Sequence, residues 1–423
     1  MYNAMNEVER RVLENVDLDD MIDYLCELIS VQSHGGDETE AQENVAAKLG
    51  SLGFQVDRWE IDIEELRRHP DFSMSIEREK PLGVVGVLRG EGSGRSLVLN
   101  GHVDTVTPGD EANWTHNPFE GTVQDGRVYG RGACDMKGGL SCGLYAVKAI
   151  VDAGVALEGD LIFESVVGEE DGGCGTLAAC LRGYRADAGI VMEPSEAKLA
   201  PEVAGAMSFR VTVPGKSVHA CVREEGVSAV DKFILLHEGL RELERERNKG
   251  VDNPLYARYG TPFAINVGTI NGGQWAGTVP ESVAFEGRIG VSVGESRKHA
   301  REALESKVRE LSEGDPWLRE NRPVVDWAGY SFAPSSIPVG HPVVQTLEGA
   351  FKDATGKDPV MEGMTYASDV RHLINVAETP TMVFGPGDVR VAHGSDEYVP
   401  IGDLEATVRT LALTIMRFVG YRD

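Results

Sequence analysis

Leu161-Ile-Phe-Glu-Ser-Val-Val-Gly-Glu169-Glu170-Asp171-Gly-Gly173 joins an apolar, strand-forming run to three adjacent carboxylates bracketed by glycine. The first half reads as a buried strand and the second as a tight turn at its exit. Carboxylates at that density repel and raise one another's pKa unless a cation or water separates them. Two adjacent Glu side chains at a bend point in different directions, so one can face a metal while the other faces the space beside it. Taken alone, the stretch also reads as an acidic surface turn.

Working outward, helical spacing over Leu18 to Val31 and Ala41 to Leu52 predicts two helices. Val84 to Leu88 and Ser96 to Asn100 predict strands, the second running into Gly101-His102-Val103-Asp104. A helix from Leu140 to Ala153, a helix near Thr176 to Leu181 and the strand Ala188 to Met192 surround the opening stretch. Strands alternating with helices imply a mostly parallel sheet with helices on both faces. From about Ala206 the texture changes. A strand at Phe209 to Val213, a helix over Val227 to Arg245, strands at Phe263 to Ile270 and Val279 to Val293, a helix over Ser296 to Leu311 and a strand at Val324 to Trp327 follow. That βαββαβ order is the ferredoxin-like arrangement and is self-contained. An α/β domain of residues 1–205 and 331–423, interrupted by an inserted domain at 206–330, is the expected organisation. The chain returns with helices at Pro342 to Ala354, Ser368 to Leu373 and Ile401 to Val419 and a strand at Thr381 to Phe384.

At 423 residues the chain is too long for one ordinary core, which agrees with two domains. Its net charge of -27 argues against nucleic-acid or anionic-membrane partners, both of which need a basic footprint. The first twenty residues are of mixed charge, and nowhere do 18 apolar residues run together, so a cytoplasmic enzyme is expected. Six scattered cysteines without a C-x-x-C pair suggest neither a thiolate zinc site nor a disulfide framework.

Four acidic or histidine-containing loops stand at the ends of predicted parallel strands, where open α/β sheets place their sites. They are His102 with Asp104, Asp135 among glycines, Glu169-Glu170, and Glu193. His393, after the turn Gly385-Pro-Gly387, is a fifth candidate. Imidazoles and carboxylates without thiolates suit zinc, manganese or cobalt, and a set this acid-rich suits two ions bridged by one carboxylate.

Together these segments resemble the dinuclear metallopeptidases and deacylases that include carboxypeptidase G, aminoacylase, acetylornithine deacetylase and succinyl-diaminopimelate desuccinylase. The resemblance is carried by Gly101-His-Val-Asp104, Gly130-Arg-Gly-Ala-Cys-Asp135-Met-Lys-Gly-Gly139, Gly168-Glu-Glu170, Glu193-Pro194 and Ala392-His393-Gly-Ser-Asp-Glu397, in that order. It implies two Zn²⁺ ions per chain, with Co²⁺ or Mn²⁺ as substitutes. Asp135 would bridge them, His102 and Glu193 would complete one ion's ligands, and Glu170 and His393 the other's. Asp104 would hydrogen-bond the His102 ring. Glu169 would be the general base for a water between the ions.

The same resemblance makes the inserted domain a lid and a homodimerisation module. Its His219 would help hold the oxyanion, often across the subunit boundary, and Arg288 would grip a substrate carboxylate. Asn266 matches a position near substrate. Ser368, Asp369 and Arg371 match a substrate-contacting segment of the desuccinylase, although Ala367 stands where a Thr is expected and Gly277 where many relatives have Asn. The implied reaction is hydrolysis of an N-acyl amino acid or related small amide bearing a carboxylate. Dipeptidase or aminopeptidase activity, cleavage of a ureido or aromatic-amine C–N bond, and a non-catalytic binding role are the alternatives.

Overall fold

Every residue of the strand Leu161–Val166 is buried, as a strand covered on both faces must be. The computed structural model describes residues 5–327 and 329–423. These form two units, one comprising the chain up to Val203 with Ser335–Gly363 and Ser368–Asp423, the other Ala204–Pro334 with Met364–Ala367.

The first unit is built on a sheet whose strands lie in the order Gln55–Glu60, Leu82–Leu88, Leu161–Val166, Leu97–His102, Ala188–Val191, Thr381–Val383, Leu199–Val203 and Ser335–Ser336. The four central strands run parallel. Those flanking them pair antiparallel. Register aligns the carboxyl ends of the parallel strands, with His102 beside Val166 and Asn100 beside Val191. The loops bearing His102, Glu169 and Glu193 therefore leave the sheet at one edge.

Side-chain alternation assigns the helices to the two faces. Phe163 packs where a Cβ on Gly143, in the helix Gly138–Asp152, would lie 3.0 Å from its ring. Ser165, on the same face, donates a hydrogen bond to Gln42 in the helix Thr39–Ser51. Glu164 points the other way, and Asn100 donates both to it and to Thr176 of the helix Cys174–Leu181. The long helix Ile401–Val419 packs on Gly138–Asp152. The expected mostly parallel sheet with helices on both faces is present.

Several elements lay outside the sequence reading. The helix Glu7–Glu14 begins at a capping box formed by Asn6 and Glu9. A small sheet of Thr122–Gln124, Arg127–Tyr129 and Tyr398–Pro400 pairs Tyr398 with Tyr129, which draws the chain after His393 alongside the approach to Asp135.

In the second unit the strand Gly205–Pro214, helix Ala229–Asn248, strands Ile265–Gly272 and Ser282–Val291, helix Arg297–Gly314 and strand Val324–Asp326 follow in βαββαβ order. The antiparallel sheet places the first strand between the third and the last, with the second outside the third, which is the ferredoxin-like arrangement. Phe209, Leu236, Phe285, Leu304 and their neighbours fill its core. Met364–Ala367 joins this unit because Ala204 donates to the Met364 carbonyl and Arg288 to that of Thr365.

Candidate metal centre

His102 ends its strand fully enclosed, and its Nε2 lies 3.2 Å from Asp135 Oδ1 and 3.7 Å from Glu193 Oε1. The other oxygen of Asp135 faces a second imidazole, with His393 Nε2 at 3.3 Å. His393 Nε2 is in turn 3.0 Å from Glu170 Oε2. His102, Asp135 and Glu170 form one group able to hold an ion, and His102, Glu169 and Glu193 another. One carboxylate thus has an imidazole and a further carboxylate on each side.

Donor chemistry and spacing both fit metal ions. Around a tetrahedral ion with bonds of about 2.0–2.1 Å, neighbouring ligand atoms lie roughly 3.3 Å apart. Burial, together with Asp135, pushes Glu170 and Glu193 above the ordinary carboxylate range. Such crowding of buried acids calls for cations. Burial opposes charge on His102, yet its hydrogen bond to Asp135 and the nearby Glu193 and Asp104 carry it well above its ordinary value. His393 is raised to about 11 by hydrogen bonds to Asp135 and Glu170. The surrounding carboxylates thus favour positive charge at both imidazoles, the charge a bound cation would supply.

Local structure presents these candidate residues. Glu397 accepts from the backbone N–H of Cys134 at 2.9 Å and of Asp135 at 3.1 Å. Buried Arg131 pairs with the same carboxylate. His393 sits at φ +62°, a left-handed conformation uncommon for a residue with a Cβ, and is half-exposed at 52%.

Asp104 meets the His102 ring through its backbone. The His102 Nδ1 lies 2.8 Å from the Asp104 backbone carbonyl and 3.6 Å from its carboxylate. That carboxylate instead accepts the N–H groups of Glu169 and Glu170. Buried Glu169 has an Oε1 with no hydrogen-bond partner among the described residues. Its carboxyl is driven well above the ordinary range by burial first and then by Asp369, with Glu170 adding to the effect.

The remaining candidates fall in two places. Asn266 and Arg288 are cross-strand partners in the second unit, directly opposite one another. His219 is exposed in that unit, bridged to Thr278, with its Nδ1 accepting from the Cys221 N–H. Ser368, Asp369 and Arg371 belong to the first unit and are 2%, 0% and 2% exposed. Asp369 accepts from Thr176 at 2.6 Å and Arg371 donates to the Gly172 carbonyl at 2.6 Å. Asp171, the third of the adjacent carboxylates, is buried and ion-paired to Arg78 at 2.8 Å.

Imidazoles and carboxylates converging at the ends of parallel strands make this an α/β protein with a site able to hold metal ions. The profile of peptidase family M20/M25/M40 matches residues 98–417, and the chain belongs to that family. It is 33% identical over 382 residues to an N-formyl-4-amino-5-aminomethyl-2-methylpyrimidine deformylase of Bacillus subtilis, covering 86% of this chain and 85% of the relative. An acetylornithine deacetylase of Myxococcus xanthus is 31% identical over 367 residues, 82% of this chain and 89% of that one. Among solved structures, a dipeptidase of Saccharomyces cerevisiae superposes with a TM-score of 0.74 at 14% identity, covering 98% of this chain and 99% of that one. The protein is a metal-dependent hydrolase of amide or peptide bonds. No helix among the described residues is long and apolar enough to cross a membrane.

Proposed function

We propose that the protein removes an acyl group from an N-acyl amino acid or a related small amide, using two Zn²⁺ ions. The observation that carries this reading is Asp135, whose two oxygens face His102 at 3.2 Å and His393 at 3.3 Å. His102 and Glu193 would hold one ion, Glu170 and His393 the other, and Asp135 both. Bound there, the ions would acidify a water and polarise the scissile carbonyl.

Glu169 does the proton work. Its raised pKa and unpartnered Oε1 suit it to take a proton from the attacking water and return it to the departing nitrogen. Arg288, paired with Asn266 on adjacent strands, supplies a guanidinium fork for the substrate carboxylate, and His219 supplies a donor to the developing oxyanion. The second unit serves as the lid and the homodimer contact, and the enzyme works in the cytoplasm.

A second reading, deformylation of an aromatic amine derivative, is favoured by the 33% identity to the pyrimidine deformylase. One panel separates the readings: N-acetyl, N-succinyl and N-formyl amino acids, dipeptides, and an N-formyl aminomethylpyrimidine. Highest kcat/KM on an N-acyl amino acid is expected. Preference for the pyrimidine selects the second reading, and preference for dipeptides overturns both.

A further inference from the structure

The loop Gly168–Gly173 has glycines at φ +71°, +153° and +75° (Gly168, Gly172 and Gly173), so its own backbone preferences are weak. It nevertheless has to aim two adjacent glutamates at different targets. Side-chain rotamers cannot do that unless the backbone beneath them is held.

The loop is tied from two sides by buried arginines. On one side Asp171 Oδ1 lies 2.8 Å from Arg78 Nη1, and Asp171 Oδ2 accepts from the Ser75 N–H at 2.9 Å and the Ile76 N–H at 2.6 Å. Arg78 is itself anchored, donating to Glu38 at 2.9 Å and to the Ile76 carbonyl at 3.0 Å. On the other side Arg371 donates to the Gly172 carbonyl at 2.6 Å. Both flanks fit closely. A Cβ on Gly172 would lie 1.9 Å from the Ser73 carbonyl oxygen, and one on Gly173 2.1 Å from Asp369 Oδ1.

We propose that Asp171, gripped by Arg78, and Arg371, through the Gly172 carbonyl, are positioning residues that aim Glu169 and Glu170. Neither side chain belongs to the proposed ligand set; both act through the backbone of the loop. The inference rests on the roles proposed above for Glu169 and Glu170. It also gives a function to Asp171, which the proposed reaction leaves unused.

The test uses the full metal-loaded chain and the variants Asp171→Asn, Arg371→Met and Arg371→Lys, with hydrogen exchange and steady-state kinetics. The loop 168–173 should exchange at least ~10-fold faster in Asp171→Asn and Arg371→Met, while the strand Leu161–Val166 keeps its protection. On whichever amide the wild type cleaves, kcat should fall about 10- to 100-fold with KM within about threefold, since a displacement near 1 Å suffices for such losses. Arg371→Lys should recover part of both, and it carries the test if Arg371→Met does not fold. Exchange that rises uniformly across the chain, or a loosened loop with unchanged kcat per folded molecule, overturns the proposal. If the wild type cleaves nothing in the panel, the proposed reaction fails, and the local exchange result alone decides the clamp.

Discussion

Asp104 touches Glu170 through the backbone: its Oδ2 accepts the Glu170 N–H at 3.1 Å, while its Oδ1 accepts the Glu169 N–H at 3.3 Å. The same residue offers its carbonyl to the His102 ring. The loops after two adjacent parallel strands, which carry proposed ligands, are thereby joined by one side chain. Asp104→Ala should lower metal affinity about 10- to 100-fold, as loss of a group supporting a ligand does elsewhere. Asp104→Asn, which keeps one acceptor oxygen, should fall between. Competition titration with a chromophoric chelator measures both.

Glu169→Gln separates binding from proton transfer. The amide has nearly the size of the carboxylate, but it cannot accept the water's proton. Metal content should be unchanged and kcat reduced at least ~100-fold, the lower range for a general acid-base group. Full turnover with both metal sites loaded would exclude Glu169 as the base.

Metal affinity should fall with acidity. His393, raised to about 11 through Asp135 and Glu170, holds a proton that an incoming cation must displace. Burial raises Glu170 and Glu193, so as pH falls protons on them too compete with the metal. Each released proton weakens binding by about tenfold per unit fall in pH. Zinc titrations at pH 6, 7 and 8, with calorimetry in buffers of differing ionisation enthalpy, read the slope and the proton count. Stripping the metals should also lower Tm, and added Zn²⁺ or Co²⁺ should restore both Tm and activity.

How much of this was legible in the sequence depended on distance along the chain. His102, Asp135, Glu169, Glu170, Glu193 and His393 each sit in a local strand-end or glycine pattern, so their segments could be singled out without knowing what they meet. The contacts of Asp171 and Arg371 left no trace in the sequence, because their partners lie 93 and 199 residues away and only the folded sheet edge joins them. Asp104 was half legible. Its proximity to the ring was implied, but a carboxylate turning toward two backbone amides 65 and 66 residues on leaves no local trace. The strand Gln55–Glu60 was missed because an exposed, charged edge strand lacks a clear apolar alternation.

Glu164 provides a pH test away from the ligands. Burial raises its carboxyl to about 7, with an Asn100 hydrogen bond opposing and Asp369 adding to the rise. A folded-state value above the unfolded one of about 4.5 means the folded chain binds this proton more tightly. The associated stability is complete below about pH 4.5 and is lost as pH rises through about 7. Glu164→Gln cannot ionise, so its Tm should vary less than that of the wild type between those values. The difference corresponds to a change on the order of 3 kcal/mol across the window. Parallel Tm–pH profiles of the metal-free proteins check this.

Two helical glycines give opposite expectations for one substitution. Gly139 is the second residue of the helix Gly138–Asp152, and Gly402 the second of Ile401–Val419. Ala is the better helix former at either position by up to about 1 kcal/mol. A Cβ on Gly402 would meet nothing within 4 Å, so Gly402→Ala should be neutral or slightly stabilising. On Gly139 it would lie 1.9 Å from the Met192 carbonyl oxygen, far inside van der Waals contact. The obstacle is backbone and cannot swing aside. Helix or strand end must shift, at about 1–3 kcal/mol for overpacking, which exceeds the gain in propensity. Because Met192 immediately precedes Glu193, the shift displaces that ligand from His102. Gly139→Ala should therefore lose both stability, measured by denaturant unfolding of the metal-free protein, and metal content. Retention of both would show that the Met192–Glu193 backbone can move without consequence for the centre.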